Sequence, residues 1–138
     1  MAASRTLTII KPDAFASRKA GRIIAHLEDA GFRIDAARVV HMDQSEAAEF
    51  YTVHRERPFF KSLTTFMTSG PCMPMVLEKA DAVAALRQAI GATDPAEAAA
   101  GTVRKLFAES KERNAIHASD SEKKKFASRT AFSSESEA

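Results

Sequence analysis

Strand-like and helix-like segments alternate along the 138-residue chain, and their order constrains the fold more than any other feature of the sequence. The run "RTLTII" (5–10) is rich in β-branched residues, which predicts a strand that ends in a loop at "KPD". A helix is predicted next, because apolar residues recur at helical spacing, namely Ala20, Ile23, Ile24, Leu27 and Ala30. Gly31 favours the end of that helix.

Three further strands and several further helices are predicted in the rest of the chain. The strands are "FRIDAARVVHM" (32–42), "CMPMVLE" (72–78) and the short "NAIH" (114–117). Helices are indicated by a capping box at "DQSE" (43–46), by apolar stripes after Pro58 and from about Asp81, and by the start signal "SDSE" (119–122). Pro74 cannot donate a backbone hydrogen bond, so it predicts an edge position or a bulge for its strand.

The resulting order is β-α-β-α-α-β-α-loop-β-α, and without the extra helices it is the ferredoxin-like βαββαβ plan. That plan is an α+β fold, with a four-stranded antiparallel sheet and helices on one face. The sequence shows no internal repeat and no sign of a second domain, so residues 1–138 are interpreted as one domain. The polar segment "SSESEA" (133–138) is expected to be a frayed tail.

The charge balance and the single cysteine exclude several classes of protein. The formal net charge is +2, which argues against a dedicated nucleic-acid binder. Cys72 is the single cysteine, so a disulfide framework is excluded and a reducing compartment is favoured. No apolar stretch approaches the roughly 20 residues that cross a bilayer, and the N-terminal residues are too polar for a signal peptide. A cytoplasmic protein without membrane partners is therefore expected.

A phosphate site in this chain would have to be built from side chains. The sequence contains neither the P-loop pattern nor the Rossmann glycine pattern, and no cysteine–histidine spacing indicates zinc. Lys11 follows the first predicted strand, and Arg87, Thr93 and Arg104 lie on or near predicted helices. Isolated surface cations are usually only solvated, but these side chains would form a phosphate clamp if they converged on one cleft.

His117 differs from the other three histidines in its surroundings. It ends a short strand, precedes the small Ala118 and stands beside a predicted helix N-terminus, whose N–H groups favour anions. A lone histidine is more often structural, so His26 and His41 are interpreted in that way and His54 as a boundary residue.

Aromatic residues offer a possible platform for a base. One of the adjacent Phe59 and Phe60 is expected in the core, whereas a partly exposed phenylalanine could stack on a nucleobase. Tyr51 is the single tyrosine, and taken alone it is interpreted as a rim residue with its hydroxyl in water.

Taken together, these residues resemble the nucleoside diphosphate kinase family. The matching segments are "TIIKPDA" (8–14), "FYTVHRERPFF" (50–60), "FMTSGP" (66–71), "GATDPAEA" (91–98), "GTVR" (101–104) and "NAIHASDS" (114–121). Each segment is a weak signal alone. Their joint order and spacing, over about residues 5–121, are highly specific.

The resemblance implies a ping-pong reaction, in which His117 takes the γ-phosphate of a nucleoside triphosphate and then passes it to a diphosphate. It implies that Lys11 contacts the transferring phosphate and the ribose hydroxyl, and that Tyr51 holds Lys11 and the phosphoryl group in place. It assigns phosphate binding to Arg87, Thr93 and Arg104, ribose binding to Asn114 and base stacking to Phe59.

The resemblance also implies the cofactor and the partners. Mg²⁺ would be held mainly by the nucleotide phosphates rather than by a metal site of the protein. The partners would be ATP and other nucleoside di- and triphosphates, with broad base specificity, because stacking reads no hydrogen-bond code. A homo-oligomer, either a tetramer or a hexamer, is expected.

The sequence departs from the family pattern after Ser121. The family usually places a glutamate eleven residues after the histidine, where it orients the ring, and this chain has Ser128 at that position. A slower but active enzyme is therefore expected. Two alternatives stay open: a catalytically weak or inactive nucleotide-binding regulatory or scaffold protein of the same fold, and a small nucleic-acid or interaction module.

Overall fold

The computed structural model describes residues 3–119 of the chain, apart from the side chain of Val53. The strands β1 to β4 comprise Ala3–Ile10, Arg33–Ala37, Met73–Ala80 and Ile116–Ala118. The helices α1 to α6 comprise Pro12–Ala16, Ala20–Asp29, Gln44–Phe50, Phe60–Met67, Ala82–Ile90 and Val103–Phe107, and a 3-10 helix covers Thr52–His54. The helix start predicted at 119–122 lies outside the described residues except for Ser119, and the tail predicted at 133–138 lies wholly outside them.

The four strands form one antiparallel sheet in the order β2-β3-β1-β4. This is the strand order of the ferredoxin-like βαββαβ plan, so the predicted fold class is confirmed. The short strand β4 pairs with the C-terminal part of β1, where Ile9 lies opposite His117. The sheet therefore brings the end of "RTLTIIKPD" next to the predicted nucleophile.

Helices cover the two faces of the sheet unequally. The two helices that belong to the βαββαβ motif, α2 and α5, pack on one face, where Leu27 and Leu86 share a core cluster with Ile10. The inserted helices α3 and α4 pack against side chains of β1 that point the other way, among them Ile9. Residues 6–10 of β1 are consequently all buried, which explains the continuous apolar and β-branched run there.

Pro74 lies in an interior strand, so the predicted edge position is wrong. Strand β3 has β1 on one side and β2 on the other. The carbonyl of Pro74 accepts a hydrogen bond from Arg38 N (3.1 Å), just beyond the end of β2 at Ala37. Because the N and C=O of one strand residue point to the same side, the nitrogen of Pro74 also faces Arg38, and its missing N–H removes one bond of the ladder. Pairing resumes in the same register at the bridge between Val40 and Cys72.

Local signals decide two further elements. The capping box at Asp43 and Glu46 is present, with Glu46 N donating to Asp43 Oδ1 (2.8 Å) and Asp43 N donating to Glu46 Oε1 (2.9 Å). The segment after Lys11 was expected to be a loop, but it forms the short helix α1 with Pro12 at its first turn. Proline suits that position because its fixed φ matches the helix and its absent N–H would lack an intrahelical partner.

Candidate active site

A cavity of about 530 Å³ lies beside β4, between the inserted helices and the C-terminal end of α5. It is lined by all eight residues that the sequence singled out, namely Lys11, Tyr51, Phe59, Arg87, Thr93, Arg104, Asn114 and His117. These residues come from six separate segments of the chain, and the fold brings them together.

His117 enters the cavity from β4. Its backbone is fixed by pairing with Ile9 and by a hydrogen bond from Thr8 Oγ1 to the His117 carbonyl (2.7 Å). The imidazole makes edge-to-face contacts with Phe50 and Tyr51, at centroid distances of 5.1 and 5.6 Å. The strand and the two rings together set the direction of the imidazole.

A strained turn directly precedes His117. Ala115 has a positive φ of 77°, and Ile116 N donates to Asn114 O across it (2.9 Å). A positive φ at the central residue, combined with a hydrogen bond between residues two positions apart, is the signature of the rare classic γ-turn. L-residues adopt this conformation at an energetic cost. The turn lets Asn114 and His117, only three residues apart, both face the cavity.

Lys11 is a buried cation at the centre of the site, with only 6% of its surface exposed. Its ammonium donates to Asn114 Oδ1 (2.9 Å) and lies 3.4 Å from the carbonyl of Glu112. Burial lowers the pKa of Lys11 to about 8, an effect that the charge of Asp13 partly offsets and that of Arg104 reinforces. An anion in the cavity would favour the charged ammonium and bind to it.

Arg104 is held by two backbone carbonyls. Its guanidinium donates to Gly91 O (3.0 Å) and to Ile116 O (2.7 Å). Burial, together with the nearby charge of Arg87, lowers the pKa of Arg104 to about 10, so it remains protonated at neutral pH. Arg87 itself is exposed and lies 3.4 Å from the Ser119 carbonyl, which leaves most of its donors to face the cavity.

The loop after α5 is connected to Lys11 through the side chain of Asn114. Asn114 Nδ2 donates to the Thr93 carbonyl (3.3 Å), so one amide side chain contacts both Lys11 and the loop. The chain turns at Gly91 after the end of α5, and Thr93 lies at the cavity. Three cations, a threonine and a histidine thus surround one space, an arrangement suited to phosphate and to phosphoryl transfer.

Aromatic rings form the opposite wall. Tyr51 is buried, which raises the pKa of its hydroxyl well above the usual value, and its ring stacks at 6.4 Å on His54. His54 in turn packs at 5.5 Å against Phe59, whose side chain is 48% exposed, whereas Phe60 packs against the core. The exposed member of the phenylalanine pair is therefore the one at the cavity.

Two residues at the site were not identified from the sequence. His54 was interpreted as a boundary residue, yet it lines the cavity between Tyr51 and Phe59; its spacing of three residues from Tyr51 was the available signal. Asp13 was treated as part of a turn, yet it is 3% exposed beneath Lys11. Ser128, which departs from the family pattern, lies outside the described residues.

Comparison with known proteins agrees with the geometry. A family model described as nucleoside diphosphate kinase matches residues 4–137. The nucleoside diphosphate kinase of Chlorobium chlorochromatii is 59% identical over 117 residues, which cover 85% of this chain and 84% of the relative. That of Salinibacter ruber is 51% identical over 121 residues, with coverages of 88% and 85%.

Solved structures give the same result. The nucleoside diphosphate kinase of Aquifex aeolicus superposes with a TM-score of 0.85 at 46% identity, covering 88% of each chain. A halophilic nucleoside diphosphate kinase from Halobacterium salinarum, solved in complex with CDP, gives 0.83 at 38% identity and covers 90% of this chain and 82% of that one. Among residues 3–119, no helix has the length and apolar character needed to span a membrane. By sequence along nearly its whole length and by fold, the chain belongs to the nucleoside diphosphate kinase family.

Proposed function

We propose that this kinase carries the γ-phosphate from a nucleoside triphosphate to a nucleoside diphosphate on His117, as a phosphohistidine. The observation that supports this best is the convergence of His117 with Lys11, Arg87 and Arg104 on one cavity. A neutral imidazole is a competent nucleophile at physiological pH, and the three cations stabilise charge on the phosphate being transferred.

The reaction has two near-symmetric steps. In the first, a ring nitrogen of His117 attacks the γ-phosphorus, a P–N bond forms, and the bond to the bridging oxygen breaks to release a nucleoside diphosphate. In the second, a terminal oxygen of another diphosphate attacks the same phosphorus, and the P–N bond breaks. One cavity serves both steps, which is the basis of ping-pong kinetics.

The remaining residues take positions around the nucleotide. Lys11 binds the transferring phosphate, Asn114 holds Lys11 and contacts the ribose, and Arg104 is aimed by two carbonyls at the phosphates. Tyr51 packs against His117, and the exposed face of Phe59 stacks on the base. The CDP bound to the Halobacterium relative is consistent with a nucleoside diphosphate at this site.

Arg87 and Thr93 complete the phosphate contacts, and Mg²⁺ would arrive with the nucleotide. None of the described side chains that line the cavity is a carboxylate, and residues 3–119 hold no cluster of three metal-ligating side chains. The phosphates would therefore supply most of the oxygen ligands that Mg²⁺ prefers. When bound, it would neutralise the phosphate charge. We also propose a single domain over residues 1–138, a cytoplasmic location and a homo-oligomer, either a tetramer or a hexamer.

The test is to incubate the protein with γ-labelled ATP and Mg²⁺ and to look for a phosphoprotein that is stable to base and labile to acid. The label should pass to added GDP or CDP and should be absent from His117→Ala. His41→Ala is the matched control, since His41 is exposed and away from the cavity. Nucleotide binding without any phosphoprotein would instead support the alternative, a regulatory or scaffold protein with the same site.

A further inference from the structure

Asp13 is a buried carboxylate that the proposed mechanism does not use. It lies in the first turn of α1 with 3% of its surface exposed. Its Oδ2 accepts a hydrogen bond from Ala115 N (3.0 Å), although 102 residues separate the two along the chain. Within residues 3–119, no hydrogen bond reaches its Oδ1. Such a group is costly to bury, because desolvation disfavours a carboxylate unless charges and donors compensate.

The contact that Asp13 makes is to the strained turn. Ala115 donates its N–H to Asp13, and its carbonyl accepts from Lys11 N (2.9 Å), so both polar backbone groups of Ala115 are held by the "KPD" segment. The unusual φ of Ala115 persists only where its surroundings fix it. The same turn places Asn114 and His117, so a loosened Ala115 would displace both.

Asp13 also acts on Lys11 through its charge. The charges of Asp13, Arg104 and Glu112 act on Lys11, and Arg113 shares the ring of Phe66 with it. The other titratable and charged groups of the same cavity are Tyr51, His54, Arg87 and His117. Asp13 and Glu112 are the acidic groups among these, and Glu112 is exposed to solvent, which screens it. The charge of Asp13 opposes the lowering of the Lys11 pKa by burial and by Arg104.

A backbone N–H alone would not require a charge. An asparagine at this position could accept the same hydrogen bond without the cost of a buried carboxylate. The turn itself therefore does not need the charge of the carboxylate, and Lys11, two residues earlier in the chain, is the cation that this charge favours.

We propose that Asp13 is a positioning residue for phosphoryl transfer, which fixes the turn between Asn114 and His117 and balances the charge of the Lys11 ammonium. This inference rests on the roles proposed for Lys11 and His117. It assigns a mechanistic role to a residue that lies beneath the cavity and does not line it.

The experiment compares Asp13→Asn, which keeps the shape and removes the charge, with Asp13→Glu, which keeps the charge and displaces the oxygens. In Asp13→Asn, the basic limb of the kcat/KM profile should move to lower pH, because Lys11 loses its proton more readily. In Asp13→Glu, kcat should fall, by up to about 100-fold for a misplaced nucleophile, while the basic limb stays at the wild-type pH. Asp43→Asn, which keeps a good helix cap far from the cavity, is the control and should match the wild type in both readouts.

A wild-type basic limb in folded Asp13→Asn would overturn the inference, since a purely structural carboxylate would lower activity equally at every pH. If Asp13→Asn does not fold, a wild-type kcat in Asp13→Glu overturns it. Failure of the proposed function gives a different result: the wild type itself forms no phosphoprotein, or His117→Ala still transfers phosphate, and the inference then falls with it.

Discussion

The ammonium of Lys11 donates a 2.9 Å hydrogen bond to Oδ1 of Asn114, which joins residues 103 positions apart in the sequence. This bond connects the first strand to the turn before His117. It also shows that the cation proposed to contact phosphate has its direction set by a neighbour rather than by its own flexible stem.

Asn114→Ala should lower kcat/KM, because Lys11 loses its side-chain partner and Thr93 loses its tether to the site. If the two residues act as a unit, the effects of Asn114→Ala and Lys11→Ala should not add. A double-mutant cycle on kcat/KM should then give a coupling energy of about 0.5–3 kcal/mol. Simple additivity would contradict the coupling.

Nucleotide affinity should fall as the pH rises above about 8. Lys11 has a pKa of about 8 in the free protein, and a bound phosphate favours its charged form, so binding near and above this pH takes up a proton. Arg104, at about 10, stays charged through this range. Calorimetry at pH 8.5 in two buffers of different ionisation enthalpy measures the uptake. Lys11→Arg should abolish the buffer dependence, and a wild type without any would refute the assignment.

Gly91→Ala should weaken both the fold and the site. Gly91 has φ 88° and ψ −179°, a conformation open essentially to glycine, and an added Cβ would lie 2.6 Å from Thr102 Oγ1. We expect a loss of about 1–3 kcal/mol in the free energy of unfolding, together with a higher KM, because the Gly91 carbonyl orients Arg104. Urea denaturation and initial rates provide the measurements.

Gly21→Ala is the matched control for this substitution. Gly21 is the second residue of α2, and nothing comes within 4 Å of the added methyl group. The free energy of unfolding should rise by roughly 0.5–1 kcal/mol with unchanged kinetics. If Gly91→Ala and Gly21→Ala changed the free energy of unfolding and the KM equally, the backbone conformation of Gly91 would not be the cause of the loss.

Phe59→Ala and Phe60→Ala should affect different properties, nucleotide binding and stability respectively. Phe59 is half exposed at the cavity, so its removal should weaken the binding of ATP, GTP and CTP alike, by about 1–3 kcal/mol, with little change in stability. Phe60 packs against the second core cluster, so its removal should lower stability by on the order of 2 kcal/mol. Direct binding measurements and thermal unfolding separate the two. A loss confined to one base would contradict stacking as the source of base tolerance.

Ser128→Glu should raise kcat, because a carboxylate at the family's position would hold one tautomer of His117 and stabilise its positive charge. Ser128→Ala removes the hydroxyl and serves as the comparison. An unchanged kcat in Ser128→Glu would show that the imidazole is oriented by another residue.

The sequence was sufficient to predict the site where chemistry restricts the choice of residue. Lys11, Arg104 and His117 stand in recognisable segments, and all of them line the cavity. The resemblance predicted that they converge, whereas the spacing of each segment carried no information on its distance from the others. For Lys11 and His117, that distance is set by the pairing of β1 with β4.

The errors came from residues whose role depends on tertiary structure. Pro74 is tolerated in an interior strand because its missing N–H removes one ladder bond, while Arg38 and the bridge between Val40 and Cys72 keep the pairing on both sides of that position. Asp13 resembles an ordinary turn residue until Ala115, far along the chain, is seen to donate to it. Local rules describe a residue's preferences but not the partners that arrive from elsewhere.

The pairing of β4 with β1 has a consequence for biosynthesis. Thr8 and His117 are joined across 109 residues. Strand β1 can pair with β3 earlier, but its other edge has no partner until β4, near the end of the described chain, is available. Contacts of such long range form slowly. During synthesis on a ribosome, they can form only after β4 has left the ribosome. Phosphotransfer activity therefore reports completed folding, and a nascent chain that stops short of β4 would contain most of the phosphate-binding residues without the nucleophile.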